Sequence, residues 1–153
     1  MTRWTWAPLP LRLMLGIGFL YHGLPKLSAE GHQQIVAMIQ GMGLFAPEFW
    51  GWVVAIAEVV GGLFLIFGFL TRIISVVLSI HMLVAAFAIH LPAGFNFINI
   101  RGMTPEGPQF GLPGYEVNLL YIAGLLALAI GGAGALSVDR FLWERKRSRV
   151  VEP

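Results

Sequence analysis

The sequence predicts an all-α integral membrane protein built as a four-helix bundle. Three observations carry that prediction. Four apolar stretches cover residues 8–24, 50–70, 73–90 and 116–136, each near the roughly 17–25 residues that an α-helix needs to cross a bilayer. Hydrophobic residues make up 57% of the 153 and charged residues only 12%, about half the charge of an ordinary soluble domain. The four spans with their connections use nearly the whole chain, and no segment is long or polar enough for a separate soluble domain, so residues 1–153 are expected to form a single domain.

Charge placement predicts the topology. Arg3, Arg72, Arg140, Arg145, Lys146, Arg147 and Arg149 fall on one side of the four spans, with Arg12 near that face, and Lys26 and Arg101 fall on the other. Lys and Arg collect in cytoplasmic loops, so both termini are expected inside, with residues 139–153 as a basic cytoplasmic tail. Arg12 interrupts the first apolar run and the segment before it is weakly basic, which favours a retained helix over a cleaved signal peptide. The chain has no cysteine, which excludes thiolate metal sites and cysteine nucleophiles. The basic residues form an orientation pattern, and nucleic acid is not an expected partner; the lipid bilayer is.

The first helix is expected to start at Pro8 or Pro10, because proline suits a first helical turn, and to end near Gly23-Leu24-Pro25. Arg12, Gly16, Phe19, Gly23 and Lys26 share one stripe at helical spacing. Gln33 to Gln40 could form a short interfacial helix in the first outer connection, with Ile35, Val36, Met38 and Ile39 on its apolar side. Trp50 and Trp52 then stand where an aromatic belt is expected. The second helix places Gly51, Ala55, Glu58 and Gly62 on one face, and small residues let helices approach closely in lipid. Thr71-Arg72 is so short a turn that the second and third helices must form an antiparallel hairpin.

The third helix places Ser75, Ser79, Met82 and Ala86 on one face. His81 and His90 are nine residues apart, about 900° of rotation, and so point to opposite sides unless the helix breaks near Leu91-Pro92. Residues 91–114, rich in Gly, Pro and Asn, read as a lid or binding loop. The fourth helix is expected to present Glu116, Leu120, Ala123, Ala127 and Gly134 on one face. Ser137 could cap a short helix from Val138.

Ionisable groups are expensive in hydrocarbon, so each needs a partner, a water-filled cavity or a job. With alternating helices, His22 and Lys26, Glu58, His90, and Glu116 with Asn118 and Tyr121 all fall in the outer half, and His81 lies deeper. Glu58 could simply pair with Lys26 or His22 and hold helices together. His22 could snorkel to the interface, His81 could bond a carbonyl, and Arg12 could reach cytoplasmic phosphates.

Several runs resemble the DoxX family of small membrane proteins. Arg12-Leu-Met-Leu-Gly-Ile-Gly-Phe-Leu-Tyr-His-Gly-Leu-Pro-Lys26 is similar to the family's first helix, and Glu58-Val-Val-Gly-Gly-Leu with Gly68-Phe-Leu-Thr-Arg72 to its second. His90 ahead of Gly94-Phe95, Tyr115-Glu116 with Asn118-Leu-Leu-Tyr121, and Gly132-Ala-Gly134 ahead of Ser137-Val-Asp139 complete the pattern. The resemblance implies a four-helix protein of the cytoplasmic (inner) membrane. It also implies a redox or quinone setting, since the family takes its name from subunits of a quinone-linked oxidoreductase that acts on thiosulfate.

Three functions compete. In the first, the protein is a quinone-linked oxidoreductase component. Glu58 is the proton acceptor and His22 the head-group partner, and Lys26, His81, His90, Glu116, Asn118 and Tyr121 supply ligand contacts. A partner protein carries the electron source, because no flavin, nicotinamide or cluster motif is present. In the second, His22 and His90 hold a haem, or Glu58 joins a metal site; no metal ligands are assigned. In the third, the polar cluster binds a ligand or partner helix without catalysis, and the glycine-rich faces mediate homo-oligomerisation.

Overall fold

The computed structural model describes residues 6–151, and side chains as far as residue 146. Arg3 and the side chains of Arg147 and Arg149, which entered the orientation argument, lie outside the described residues.

The chain is mostly helical. α1 (Pro8–Gly23) opens on proline in its first turn and runs into a 3-10 turn, Leu24–Leu27. α2 (Ala29–Gly41) is longer than the expected interfacial helix. It starts where the Ser28 hydroxyl accepts a hydrogen bond from Gly31 N at 3.1 Å, the N-cap role that suits serine. α3 (Pro47–Phe67) stops at Gly68, whose φ of 64° is left-handed. A Cβ there would collide with the Arg12 guanidinium and Ser137, so glycine is required twice over. α3 thus begins and ends three residues earlier than the sequence predicted.

α4 (Thr71–Ala85) continues through a π-helical turn, Ala86–His90, and a 3-10 turn, Leu91–Ala93. α5 (Glu116–Gly131) ends five residues before the expected boundary, because Gly132 and Gly134 take φ values of 80° and 69° and break the helix. α6 (Val138–Val151) follows, with Ser137 Oγ accepting from Arg140 N at 3.2 Å.

The expectation of an all-α chain needs one correction. Within residues 91–114, β1 (Ile100–Thr104) and β2 (Gly107–Phe110) form an antiparallel hairpin with a bulge between Ile100 and Gly102. Pro105 and Glu106 form its two-residue turn.

Two helical runs are long and apolar enough to cross a bilayer: Pro47–Phe67 with 21 residues and Thr71–Ala93 with 23. α1 and α5 have 16 residues each, about 24 Å of helix. α1 packs against α3 and α5, and α4 packs against the same two, while α2 lies on α3. The shared core is Leu15 and Phe19 of α1, Leu65 of α3, Leu78 of α4, and Leu125 and Leu128 of α5.

The α1–α3 seam is made by glycine. A Cβ on Gly16 would lie 2.7 Å from the Gly62 carbonyl oxygen, and one on Gly62 would lie 2.8 Å from that of Gly16. The two backbones therefore touch, as small residues permit in membrane helices. The predicted α1 and α3 stripes are the buried ones: Arg12, Gly16, Phe19 and Gly23, and Gly51, Ala55, Glu58 and Gly62. So are Ser75, Ser79 and Ala86. The predicted α5 face is wrong. Leu120, Ala123 and Ala127 are exposed, while Asn118, Leu125 and Leu128 face inward. Nearly every position in α5 is apolar, so its sequence offers no contrast from which to choose a face.

The α3–α4 turn is tied to the segment after α5. Asp139 accepts from Leu70 N at 2.7 Å and Thr71 N at 2.9 Å. Arg12, fully buried, donates to the carbonyls of Ala135 at 3.1 Å and Leu136 at 3.2 Å. The sequence points Arg12 to cytoplasmic phosphates. The observed partners are backbone groups left without helical mates by the break after Gly131.

Candidate functional site

Glu58 sits near the middle of α3 with 6% of its surface exposed. His81 occupies the matching level of α4, because each is ten residues from the nearer edge of the Gly68–Thr71 turn, about 15 Å along either helix. His81 Nε2 lies 3.0 Å from Glu58 Oε1. The other carboxylate oxygen, Oε2, accepts from Lys26 Nζ. Both oxygens of a largely buried carboxylate are thus engaged, by an ammonium and an imidazole. This is how a charge survives burial.

Lys26 can reach Glu58 because α1 stops early. A Cβ on Gly23 would lie 2.8 Å from Glu58 Cβ and 3.0 Å from Val59 N, so the end of α1 rests against the middle of α3. The 3-10 turn around Pro25 then carries Lys26 over the carboxylate. The polypeptide turns away into α2, which packs on the first part of α3: Gly51 lies against Val36 and His32.

The turn and α2 enclose a groove of about 580 Å³. Tyr21, Leu24, Ile35 and Met38 give it apolar walls, and His22, Lys26 and Gln34 supply polar groups. A mostly apolar slot with a few convergent polar groups suits a small organic ligand. Lys26 stands both on the groove and on Glu58, so it links groove and interior.

The remaining sequence-predicted residues divide. His22 does not touch Glu58; it is exposed on the groove, edge-on to Tyr21 at 5.6 Å between ring centroids. Tyr121 joins the neighbourhood through Phe19, which lies edge-on to it at 5.4 Å and to His81 at 6.3 Å. Asn118 is buried on α5. His90 and Glu116 flank the connection between α4 and α5: His90 Nδ1 donates to the Pro113 carbonyl at 2.8 Å, and Glu116 Oε2 accepts from Phe97 N at 3.0 Å. The groove that His22 lines does not include His90. Among the described residues no three histidine or acidic side chains gather as a metal-binding group.

Sequence reasoning missed His32 and Glu48. His32 Nε2 lies 3.0 Å from Glu48 Oε2, and the ring stacks on Trp52 at 4.1 Å. Together they fix α2, one wall of the groove, to the start of α3. The available signal was a polar His32 on the side of α2 that also carries Ile35 and Ile39, all three buried.

The DoxX family model matches residues 7–91, more than half of the chain and the stretch that holds Lys26, Glu58 and His81. The chain belongs to the DoxX family. Proteins similar to it along most of their length include three bacterial ones. The Bacillus subtilis protein named "Putative oxidoreductase CatD" is 28% identical over 138 residues, 90% of this chain and 88% of that one. An uncharacterized protein of Haemophilus influenzae is 33% identical, covering 86% of this chain and 80% of its own. The inner membrane protein YqjF of Escherichia coli is 33% identical over 86% of this chain and 88% of its own. No solved structure matches. This DoxX chain is accordingly a membrane protein.

Proposed function

We propose that the groove between the end of α1 and α2 receives a quinone head group, and that Lys26, Glu58 and His81 form the proton-exchanging chain behind it. The observation that carries this reading is the position of Lys26, on the groove wall and on the Glu58 carboxylate at once. Reduction of a quinone takes two electrons and two protons. Glu58 exchanges protons, with Lys26 and His81 balancing its charge, and His22 and Gln34 hydrogen-bond the head group. The electrons come from a partner protein, since the sequence has no motif for a flavin, nicotinamide or iron–sulfur cluster. The name of the Bacillus relative supports an oxidoreductase setting.

The same reading places α1, α3, α4 and α5 across the cytoplasmic membrane with both termini inside. The α3–α4 turn and α6 carry Arg72, Arg140, Arg145 and Lys146, against Lys26 and Arg101 elsewhere, as cytoplasmic loops do. Glu58 and His81 then lie near mid-membrane, where an ionisable pair points to function. α1 is short in this arrangement because the chain breaks at Pro25 to bring Lys26 inward, and broken membrane helices line ligand sites.

The test is mass spectrometry of solvent extracts from protein purified in mild detergent, with wild type set against a His22→Ala/Lys26→Met variant. A quinone enriched in the wild type and lost in the variant is expected. Equal bulk lipid and no quinone in both would favour an assembly role, in which Lys26–Glu58–His81 only ties α1, α3 and α4 together.

A further inference from the structure

A second groove, of about 460 Å³, opens at the other end of the helices, between the α3–α4 turn and the segment joining α5 to α6. Arg72 and Arg140 line it. The backbone of Gly132 comes so close to Arg72 that a Cβ there would lie 3.3 Å from Nε and 3.4 Å from Nη2. Arg72 also donates from Nη1 to the Ala129 carbonyl at 3.2 Å. These contacts hold its guanidinium across the glycine-rich segment. Arg140 is steadied by Glu144, Nε to Oε1 at 2.8 Å. The acidic group inside the groove, Asp139, is turned to Leu70 N and Thr71 N, where both oxygens accept.

The groove has an apolar lip. Leu70 and Ile73, also lining it, are 41% and 61% exposed. On α6, Trp143 is exposed as well, a residue type that sits at headgroup level. Two guanidiniums beside an apolar edge match a molecule with a phosphate and hydrocarbon joined together. Each guanidinium presents five N–H donors in a planar fork that fits phosphate oxygens. A zwitterionic headgroup would bring its ammonium towards the same two cations, so a headgroup with net negative charge fits better.

We propose that this groove is a binding site for the phosphodiester of an anionic phospholipid, held by Arg72 and Arg140 with its acyl chains against Leu70 and Ile73. The site is independent of the quinone reading, being built from different residues at the opposite end of the helices.

Native mass spectrometry of the full chain, released from detergent micelles containing equal phosphatidylglycerol and phosphatidylcholine, tests it. Wild type is expected to retain one phosphatidylglycerol about tenfold over phosphatidylcholine, about 1.4 kcal/mol, because both lipids offer the phosphodiester but only the second brings an ammonium towards the two arginines. Arg72→Gln/Arg140→Gln should lose that preference, and Arg101→Gln, on the distant hairpin, should keep it. Equal retention of the two lipids by wild type would overturn the proposal. So would complete displacement by millimolar inorganic phosphate, which would make the ligand a free phosphate. If the double variant fails to fold, Arg140→Gln alone decides: an unchanged preference with it counts against the site.

Discussion

His81 Nε2 lies 3.0 Å from Glu58 Oε1, joining α4 to α3 at the same distance from their shared turn. Lys26 occupies the other oxygen, so three helical segments meet on one carboxylate. Replacing Glu58 by glutamine keeps a hydrogen-bond acceptor for His81 but leaves the ammonium without its counter-charge. Removing one partner of a buried pair is costly. Lys26 is 22% exposed at its side chain, which moderates the loss to about 1–3 kcal/mol. Thermal unfolding in detergent should show Glu58→Gln melting lower, and adding Lys26→Met should recover part of the loss. A double variant as unstable as the two single losses summed would show that the pair is not coupled.

The α1–α3 seam depends on Gly16 and Gly62. Gly62→Val would drive a side chain into the Gly16 carbonyl and Leu20, and overpacking of this kind costs about 1–3 kcal/mol or more. Gly41→Ala, with nothing within 4 Å of the added Cβ, is the matched control and should melt within a degree or two of wild type. Equal melting of both variants would mean that the backbones are not in contact.

Much of this was legible in the sequence, for physical reasons that differ along the chain. The faces of α1 and α3 stood out because charged or small residues recur at helical spacing inside apolar runs. Glu58 was identifiable because a carboxylate in such a run demands an explanation. α5 offered no such contrast, and its inward face was misassigned. The hairpin Ile100–Phe110 was hidden by the glycine, proline and asparagine around it, although Pro105-Glu106-Gly107 carries turn chemistry. The partners of Arg12 could not be read at all, because backbone carbonyls leave no mark on a sequence. His22 and Lys26 are four residues apart, both near the end of α1, and only the turn at Pro25 decides which of them reaches Glu58.

Asp139 should matter more than its surface position suggests, because it caps the first backbone N–H groups of α4. Asp139→Ala is expected to cost about 1 kcal/mol, as lost caps do. Hydrogen exchange should accelerate at Leu70 and Thr71 while the middle of α4 stays protected. Unchanged exchange at those amides would remove the cap from the account.

His32 and Glu48 should contribute unequally. Glu48 is 74% exposed at its side chain, and exposed ion pairs are worth about 0–1 kcal/mol, so Glu48→Gln should change little. His32→Ala loses the Trp52 stack and the packing against Gly51, and should speed hydrogen exchange across α2 at least about tenfold, as a loss near 1.4 kcal/mol would. Equal effects of the two substitutions would mean that the ion pair, rather than the stack, holds α2.

The groove itself is the central claim, and photoaffinity labelling probes it most directly. A short-chain quinone bearing an aryl azide is added to the protein in lipid nanodiscs, irradiated, and the modified peptides are mapped. The account predicts saturable labelling within residues 21–38, suppressed by excess unlabelled quinone and weakened by Lys26→Met. Label spread without saturation over the exposed sides of α4 and α5 would contradict it.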